Sequence, residues 1–278
     1  MGMKNKKIIY DLIKTAGLLI FAFCCMVPFL WVISLSLKNN LDAFSVPFKL
    51  IFMPTFEHYQ KLFVQADFAR YFANSMITSA IGVGFSVIIG VPAAYVFSKT
   101  RFKGDRLLYF LLLLSRVTPG AVFVIPYYMV YQKLNLVDNI WGLGLIFFAV
   151  TFGLITWSMK PFFDELPASL EEAAMIEGCT MFETMIKIVL PLATPGLCAT
   201  AILSFIFCWN EFFFALILTH RNALTAPIGI LNFMVFEKVD WGPIAAGSVV
   251  TSLPVLIFGI AIRKYFVRGL AAGALSAE

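Results

Sequence analysis

Ile140–Trp157 reads IWGLGLIFFAVTFGLITW, a run without one charged residue. As a helix rising about 1.5 Å per residue it covers roughly 27 Å, close to the ~30 Å hydrocarbon core of a bilayer. Five further runs of the same kind flank it: Thr15–Leu37, Tyr71–Phe97, Leu107–Val130, Leu197–Thr219 and Pro243–Ile262. Six spans predict an all-α integral membrane protein. The third run is interrupted by Thr118-Pro119-Gly120 and by Pro126, which predicts a kink.

The composition agrees. Of 278 residues, 60% are hydrophobic and 13% charged, with a mean hydropathy of +0.88. Soluble domains average roughly 25% charged and 45–50% apolar residues. Disorder is excluded, and a soluble enzyme of this length has nowhere to bury 30 Phe. A net charge of +5 is too diluted to argue for nucleic acid. The basic residues report topology instead. With six spans, thirteen Lys and Arg fall on the face that holds both termini and seven on the other, leaving Arg116 inside the third run. Both termini are therefore expected in the cytoplasm. The first run is too long for a signal-peptide core of ~7–15 residues and no A-x-A site follows it, so it reads as a retained helix. A single transmembrane domain is expected over 1–278, with its core at 71–262. The five cysteines lack zinc or redox spacing and read as small buried hydrophobes. His58 and His220 have no Asp/Cys/His set around them, so neither a metal nor a cofactor is expected.

The stretch after Trp157 is the longest interruption between runs, residues 158–196, and it spells two short helices. Ser169 with Glu172 three later has the form of a capping box, preceded by Pro167. Glu171 and Glu172 then occupy the first turn, where the helix dipole favours carboxylates. Gly178 suits a left-handed stop, a second box follows at Thr180 and Glu183, and Pro191 closes the second helix. Phe182, Met185, Ile186 and Val189 would form its packed apolar face. Ala173-Ala174 is small and admits close approach by another surface.

In order, these residues give Glu172-Ala173-Ala174, Gly178 and Ile188-Val189-Leu190-Pro191. The chain thereby resembles bacterial ATP-binding-cassette importer permeases, whose EAA signature, EAA-x3-G-x9-I-x-L-P, is matched without a gap. Asn74-Ser75, Ala93-Ala94-Tyr95, Arg101-Phe102-Lys103-Gly104, Pro54 to Tyr59, Trp209-Asn210-Glu211-Phe212, Thr225-Ala226-Pro227 and Phe266 to Leu270 resemble carbohydrate-importer permeases, of the shorter maltose-type subunit. One departure is Arg116-Val117-Thr118-Pro119, where many relatives carry two successive prolines.

The resemblance implies a multi-pass permease of the bacterial inner membrane that imports a sugar or related polyol. It implies a coupling loop over 164–191, with Glu171, Glu172, Ala173, Ala174, Glu177, Gly178 and Pro191 at the contact with an ATPase. The implied partners are a second homologous permease, two cytoplasmic ATP-binding-cassette subunits, an extracytoplasmic sugar-binding protein and membrane lipid. Lys38–Arg70 and His220–Trp241 would face the binding protein. The chain has no G-x4-G-K-[ST] loop, so it is expected to be non-catalytic, with ATP hydrolysed elsewhere.

The intramembrane polar residues are the remaining candidates. Arg116 near mid-span costs on the order of +2.5–3.5 kcal/mol on insertion scales and needs a partner, water or a cavity. It reads either as lining the substrate pathway or as a structural ion pair. Trp209, Asn210 and Glu211 combine an aromatic face with hydrogen-bonding groups, as sugar sites do, and Asn74 is a weaker candidate. Glu211 reads as a partner for Arg116 or for another chain. An ion-coupled carrier using Arg116 and Glu211 is the competing reading, and the EAA loop argues against it. A membrane-embedded enzyme would need a His/Asp/Ser/Cys constellation on facing spans, and none is visible.

Overall fold

A computed structural model describes residues 2–47, 49–235 and 238–275, with side chains described at 10–47, 49–115, 117–234 and 239–263. The apolar runs fold as helices, and the protein is an all-α, multi-helix membrane-spanning bundle. Among the described residues, four uninterrupted helices are long and apolar enough to cross a membrane: Tyr10–Leu37, Phe68–Lys99, Ile140–Asp164 and Trp241–Arg263. Two bent pairs raise the number to six if each counts as one span.

The chain divides into two compact units. The first holds Met1–Phe68 and Ile230–Ser252. None of the most apolar window of its α1 (Gly2–Leu37) is buried. Such a surface needs lipid or a partner around it. Beyond α1 lie the short α2 (Asn40–Ala43) and α3 (Glu57–Gln60), the latter running into a π-helical turn at Lys61–Gln65. A buried polar knot closes this end of α1: His58 Nε2 lies 2.7 Å from the Lys38 carbonyl, Lys38 Nζ donates to the Lys49 carbonyl at 2.7 Å, and Ser36 pairs with Tyr59 at 2.9 Å. Among the described residues, the sheet is one antiparallel hairpin, β1 (Met234–Val235) and β2 (Lys238–Val239), with Met234 opposite Val239.

The second unit holds Ala69–Gly229 and Leu253–Glu278. Its axis is the pair α4 (Phe68–Lys99) and α7 (Ile140–Asp164). Gly82, Ser86 and Gly90 recur every fourth residue along α4, so they share one face. A Cβ on Gly82 would stand 2.5 Å from the Phe147 Cβ, so the backbones meet with no side chain between them. Hydroxyls close the same seam: Ser86 Oγ pairs with Thr151 Oγ1 at 2.8 Å, and Thr156 donates to the Gly90 carbonyl at 3.3 Å.

Between these helices, α5 (Asp105–Val117) leads through a 3-10 turn at Gly120–Phe123 into α6 (Val124–Lys133), with a 97° bend. The expected kink is there, at Thr118-Pro119. After α7 come α8 (Ala168–Ile176), α9 (Met181–Thr184), a π-helical turn at Met185–Val189, α10 (Leu190–Leu192) and α11 (Thr194–Trp209). The path bends by 81° between Leu192 and Thr194. The fifth apolar run, expected as one helix over Leu197–Thr219, breaks at Asn210 and resumes as α12 (Phe213–Leu218). Next come α13 (Ala226–Leu231) and α14 (Trp241–Leu275), which carries the sixth run.

Two apolar clusters hold this unit. One joins Val91, Ala94 and Tyr95 of α4 to Ile155, Met159 and Phe163 of α7 and to Met185, Val189 and Ala193. The other gathers Tyr131, Phe147, Cys208, Phe214 and Leu218. The cysteines are not uniformly buried as expected: Cys208 is, but Cys24 and Cys25 are exposed on α1. They sit in the part of α1 whose most apolar window is wholly unburied.

Candidate functional site

The loop between α7 and α11 is built by local signals. The Thr180–Glu183 box forms in both directions, with Glu183 N donating to Thr180 Oγ1 at 3.3 Å and Thr180 N to Glu183 Oε2 at 2.9 Å. Lys187 adds an ion pair to Glu183 at 2.9 Å. The Lys187 ammonium and the two Thr180 donors hold the Glu183 carboxyl down to about 2. Gly178 has φ +89°, and Cys179 N and Gly178 N donate to the Ala174 and Met175 carbonyls at 3.0 Å each. This is a Schellman stop, which a residue without a Cβ adopts freely.

The first box does not form. Pro167 is the cap residue of α8 and offers no side-chain acceptor, so Ser169 already lies inside the helix. The helix begins two residues earlier than the box would place it, straight after Pro167, whose fixed φ suits that approach. Glu171, next to it, is turned inward. Lys99 Nζ stands 2.9 Å from Glu171 Oε1, an ionic approach rather than an aligned hydrogen bond, and Tyr95 OH donates to Oε2 at 3.2 Å. Lys99 also donates to the Leu166 carbonyl at 2.8 Å.

The remaining residues of the set divide by face. Ala174 is buried, whereas Glu172, Ala173, Glu177, Gly178 and Pro191 are exposed. The face expected of the second helix splits as well: Met185 and Val189 are buried in the core, but Phe182 and Ile186 are exposed. With Ile176, 87% exposed, and Phe182, 63% exposed, the tip of this loop is a bare apolar surface. Pro191 follows the π-helical turn, and Pro195 follows the bend. Neither proline can supply the N–H that a continuous helix would need there.

The polar residues of the spans are also placed. Glu211 is a helix cap. Its carboxylate accepts from the backbone N–H groups of Phe213 at 3.0 Å, Phe214 at 3.1 Å and Ala215 at 3.3 Å. This explains the broken run, since a carboxylate that terminates α12 ends the helix before it. Asn210 Nδ2 turns back to the Ile206 carbonyl at 2.8 Å. Trp209 is 2% exposed, stacked on Phe205 at 5.8 Å and edge-on to Phe72 at 5.1 Å. Asn74 Nδ2 donates to the Asn222 and Leu224 carbonyls, both at 2.9 Å. The Arg116 side chain lies outside the described residues, but its neighbours Ser115 and Val117 line a cleft of about 570 Å³ with Thr118, Tyr127 and Glu211. Among the described residues, no group of His, Cys, Asp or Glu could hold a metal ion.

Asp138 is a structural residue that the sequence hid. It takes a left-handed φ of +55° and presents its carboxylate to a turn. Oδ1 accepts from the N–H groups of His220 at 3.0 Å, Arg221 at 3.0 Å, Asn222 at 2.9 Å and Ala223 at 3.1 Å. Partial burial works against its ionisation, but these four donors outweigh it and hold the carboxyl down to about 2. Arg70 Nη2 reaches Asn222, and Ser75 Oγ accepts from Ala226 N at 2.8 Å, so the loop is tied down along its length. Lys99 and Asp138 were not among the candidate residues. The contacts of both lie far along the chain, and no local pattern marks them.

Residues 82–271 match the family model of the binding-protein-dependent transport system inner membrane component. The chain is 34% identical, over 99% of its length and 100% of the relative's, to the trehalose/maltose transport system permease protein MalG of Thermococcus litoralis. It is 34% identical, over 90% of its length and 92% of the relative's, to the trehalose transport system permease protein SugB of Mycobacterium tuberculosis. The fold is similar to that in the crystal structure of a bacterial ABC transporter involved in the import of the acidic polysaccharide alginate, with TM-score 0.78 and 24% identity over 96% of this chain and 99% of that one. A bare helical bundle with a built loop, a family match across two thirds of the chain and near-full-length relatives lead to one conclusion: the protein belongs to the binding-protein-dependent transport family, as a multi-pass, non-catalytic inner-membrane permease subunit of an ABC importer.

Proposed function

We propose that this permease carries a sugar or related polyol, and that residues 164–191 dock on a separate cytoplasmic ATPase. Both termini lie on that same face. The thirteen-to-seven bias of basic residues supports this orientation. Two relatives named for trehalose or maltose transport, each 34% identical, support the substrate class. The observation that carries the docking role is the bare apolar tip at Ile176 and Phe182, on two short helices whose opposite faces are anchored in the core. Contiguous exposed apolar surface marks an interaction site. Glu172, Ala173 and Glu177 flank this tip and meet the ATPase, while Glu171, Ala174 and Gly178 hold its shape.

A second homologous permease covers bare faces such as α1, and the substrate passes between the two subunits. The Thr118–Glu211 cleft lines this path. Arg116 and Asn210 contribute to it, and Glu211, Trp209 and Asn74 set its walls. The loop 219–226 faces the extracytoplasmic binding protein. Two experiments test the reading. Ile176→Asp in the purified importer should release the ATPase on size exclusion, and retention of a full complement would refute the docking role. A thermal-shift screen of the cognate binding protein should give stabilisation by mono- or oligosaccharides or polyols, and a response to amino acids alone would refute the substrate class.

A further inference from the structure

We infer that Lys99 and Tyr95 at the end of α4 form a latch on Glu171 that couples the first docking helix to the α4–α7 pair, which makes all three positioning residues of transport. The inference rests on the docking role proposed for residues 164–191. Tyr95 and Lys99 are four apart, so they stand one turn above another on one face of α4. Both reach the same carboxylate, Tyr95 OH at Oε2 and Lys99 Nζ at Oε1. Lys99 also grips the Leu166 carbonyl at 2.8 Å, just ahead of α8. One ammonium therefore ties down both the entry to α8 and its first turn.

The pair is shielded, with side-chain exposures of 14% for Lys99 and 11% for Glu171, so water screens it little. Lys99 lies in the last turn of α4, where the helix dipole favours a cation, and Glu171 lies in the first turn of α8, where it favours an anion. The carboxylate belongs to the inward face of α8 with Ala174, opposite exposed Glu172 and Ile176. Nearby charges are separately engaged: Asp164 takes Lys160 at 2.7 Å and Ser98 at 2.6 Å. A push received on the outer face of α8 thus reaches α4 through Glu171. The Gly82–Ser86–Gly90 seam then passes it to α7.

The test uses the complete importer, with both permeases, ATPase and binding protein, in proteoliposomes, and reads substrate carried per ATP hydrolysed. A merely stabilising contact would alter the amount of assembled complex and not this ratio. Glu171→Gln and Lys99→Met should each lower the ratio about tenfold in the assembled fraction. The double variant should be no worse than the poorer single, because both singles cut the same link. A wild-type ratio in both singles, or a double-variant loss equal to the product of the singles, would overturn the latch. If the neutral variants do not assemble, Lys99→Arg and Glu171→Asp keep both charges and change the reach. A shifted ratio in either supports the latch, and an unchanged ratio in both overturns it. The docking role fails separately: an Ile176→Asp importer that keeps its ATPase refutes docking, whereas ATPase release there with normal coupling in both Glu171→Gln and Lys99→Met refutes only the latch.

Discussion

Two loops hang from opposite ends of the α4–α7 pair, and they are fixed by different chemistry. At one end, 219–226 is held through its backbone: four successive N–H groups converge on Asp138, and two of its carbonyls are taken by Asn74. At the other end, α8 is held through side chains, chiefly Lys99 on Glu171, and its apolar tip is bare. A backbone anchor fixes the path of the chain whatever side chains 220–223 carry, so surface residues there are free to vary with a partner. A side-chain anchor fixes orientation only, and a single substitution severs it. The first arrangement suits a rigid platform, and the second suits a part that transmits load.

Asp138→Ala offers the harshest challenge to this contrast. It strips the acceptor from four N–H groups, and hydrogen bonds to a charged group contribute about 1.5–3 kcal/mol each before relaxation. We expect a loss of about 3 kcal/mol in the detergent-solubilised protein, read as an earlier thermal midpoint. A loss below about 1 kcal/mol would mean that the side chains, not the backbone, fix this loop. The same carboxylate sets an acid limit. Its folded value of about 2 lies below the usual 3.8, so its contribution is fully present above pH 3.8 and is lost as pH falls towards 2. Thermal stability should be flat in this respect from pH 8 to about 5 and decline below about 4, a decline that Asp138→Asn should blunt.

Gly178→Val ranks next. A β-branched residue at φ +89° is strained, at a cost of about 1–3 kcal/mol, and should shift the α8–α9 corner while leaving 219–226 intact. Limited proteolysis at the two loops reads the difference: faster cutting only near 178 is expected, and equal acceleration at both would erase the contrast. Thr180→Ala removes the capping box for about 1 kcal/mol. Lys187→Ala removes an exposed pair and should have the smallest effect on the thermal midpoint, vanishing in high salt. A larger Lys187 effect, measured by thermal melts in low and high salt, would show that the corner relies on surface charge.

Much of this was legible in the sequence, and the boundary is physical. Apolar runs are long-window signals, so the helices carrying all six runs could be read from composition and length. Gly178 and the Thr180–Glu183 box are local signals in which cause and effect lie within four residues. The break in the fifth run was not legible. Apolar residues continue through Phe212–Phe214, and the break comes from one carboxylate turned onto the backbone ahead of it. Ser169–Glu172 had the right letters but the helix begins at Ala168, ahead of them. The latch and the Asp138 anchor join residues 76 and 82–85 positions apart, and a single sequence has no periodicity to mark such pairings. The candidate site divided in the same way. Its loop was recognised as a motif, but which of Glu171 and Glu172 turns inward depended on a lysine in another helix.

The seam between α4 and α7 has a mechanical consequence. Backbones in contact at Gly82, with hydroxyl ties at Ser86 and Thr156, hold the two helices together along the middle of their length. The pair is a connecting rod, some 32 residues or about 48 Å long on the α4 side. On the latch proposed above, a displacement of Glu171 would reach the far loop, at Asn74, along this pair.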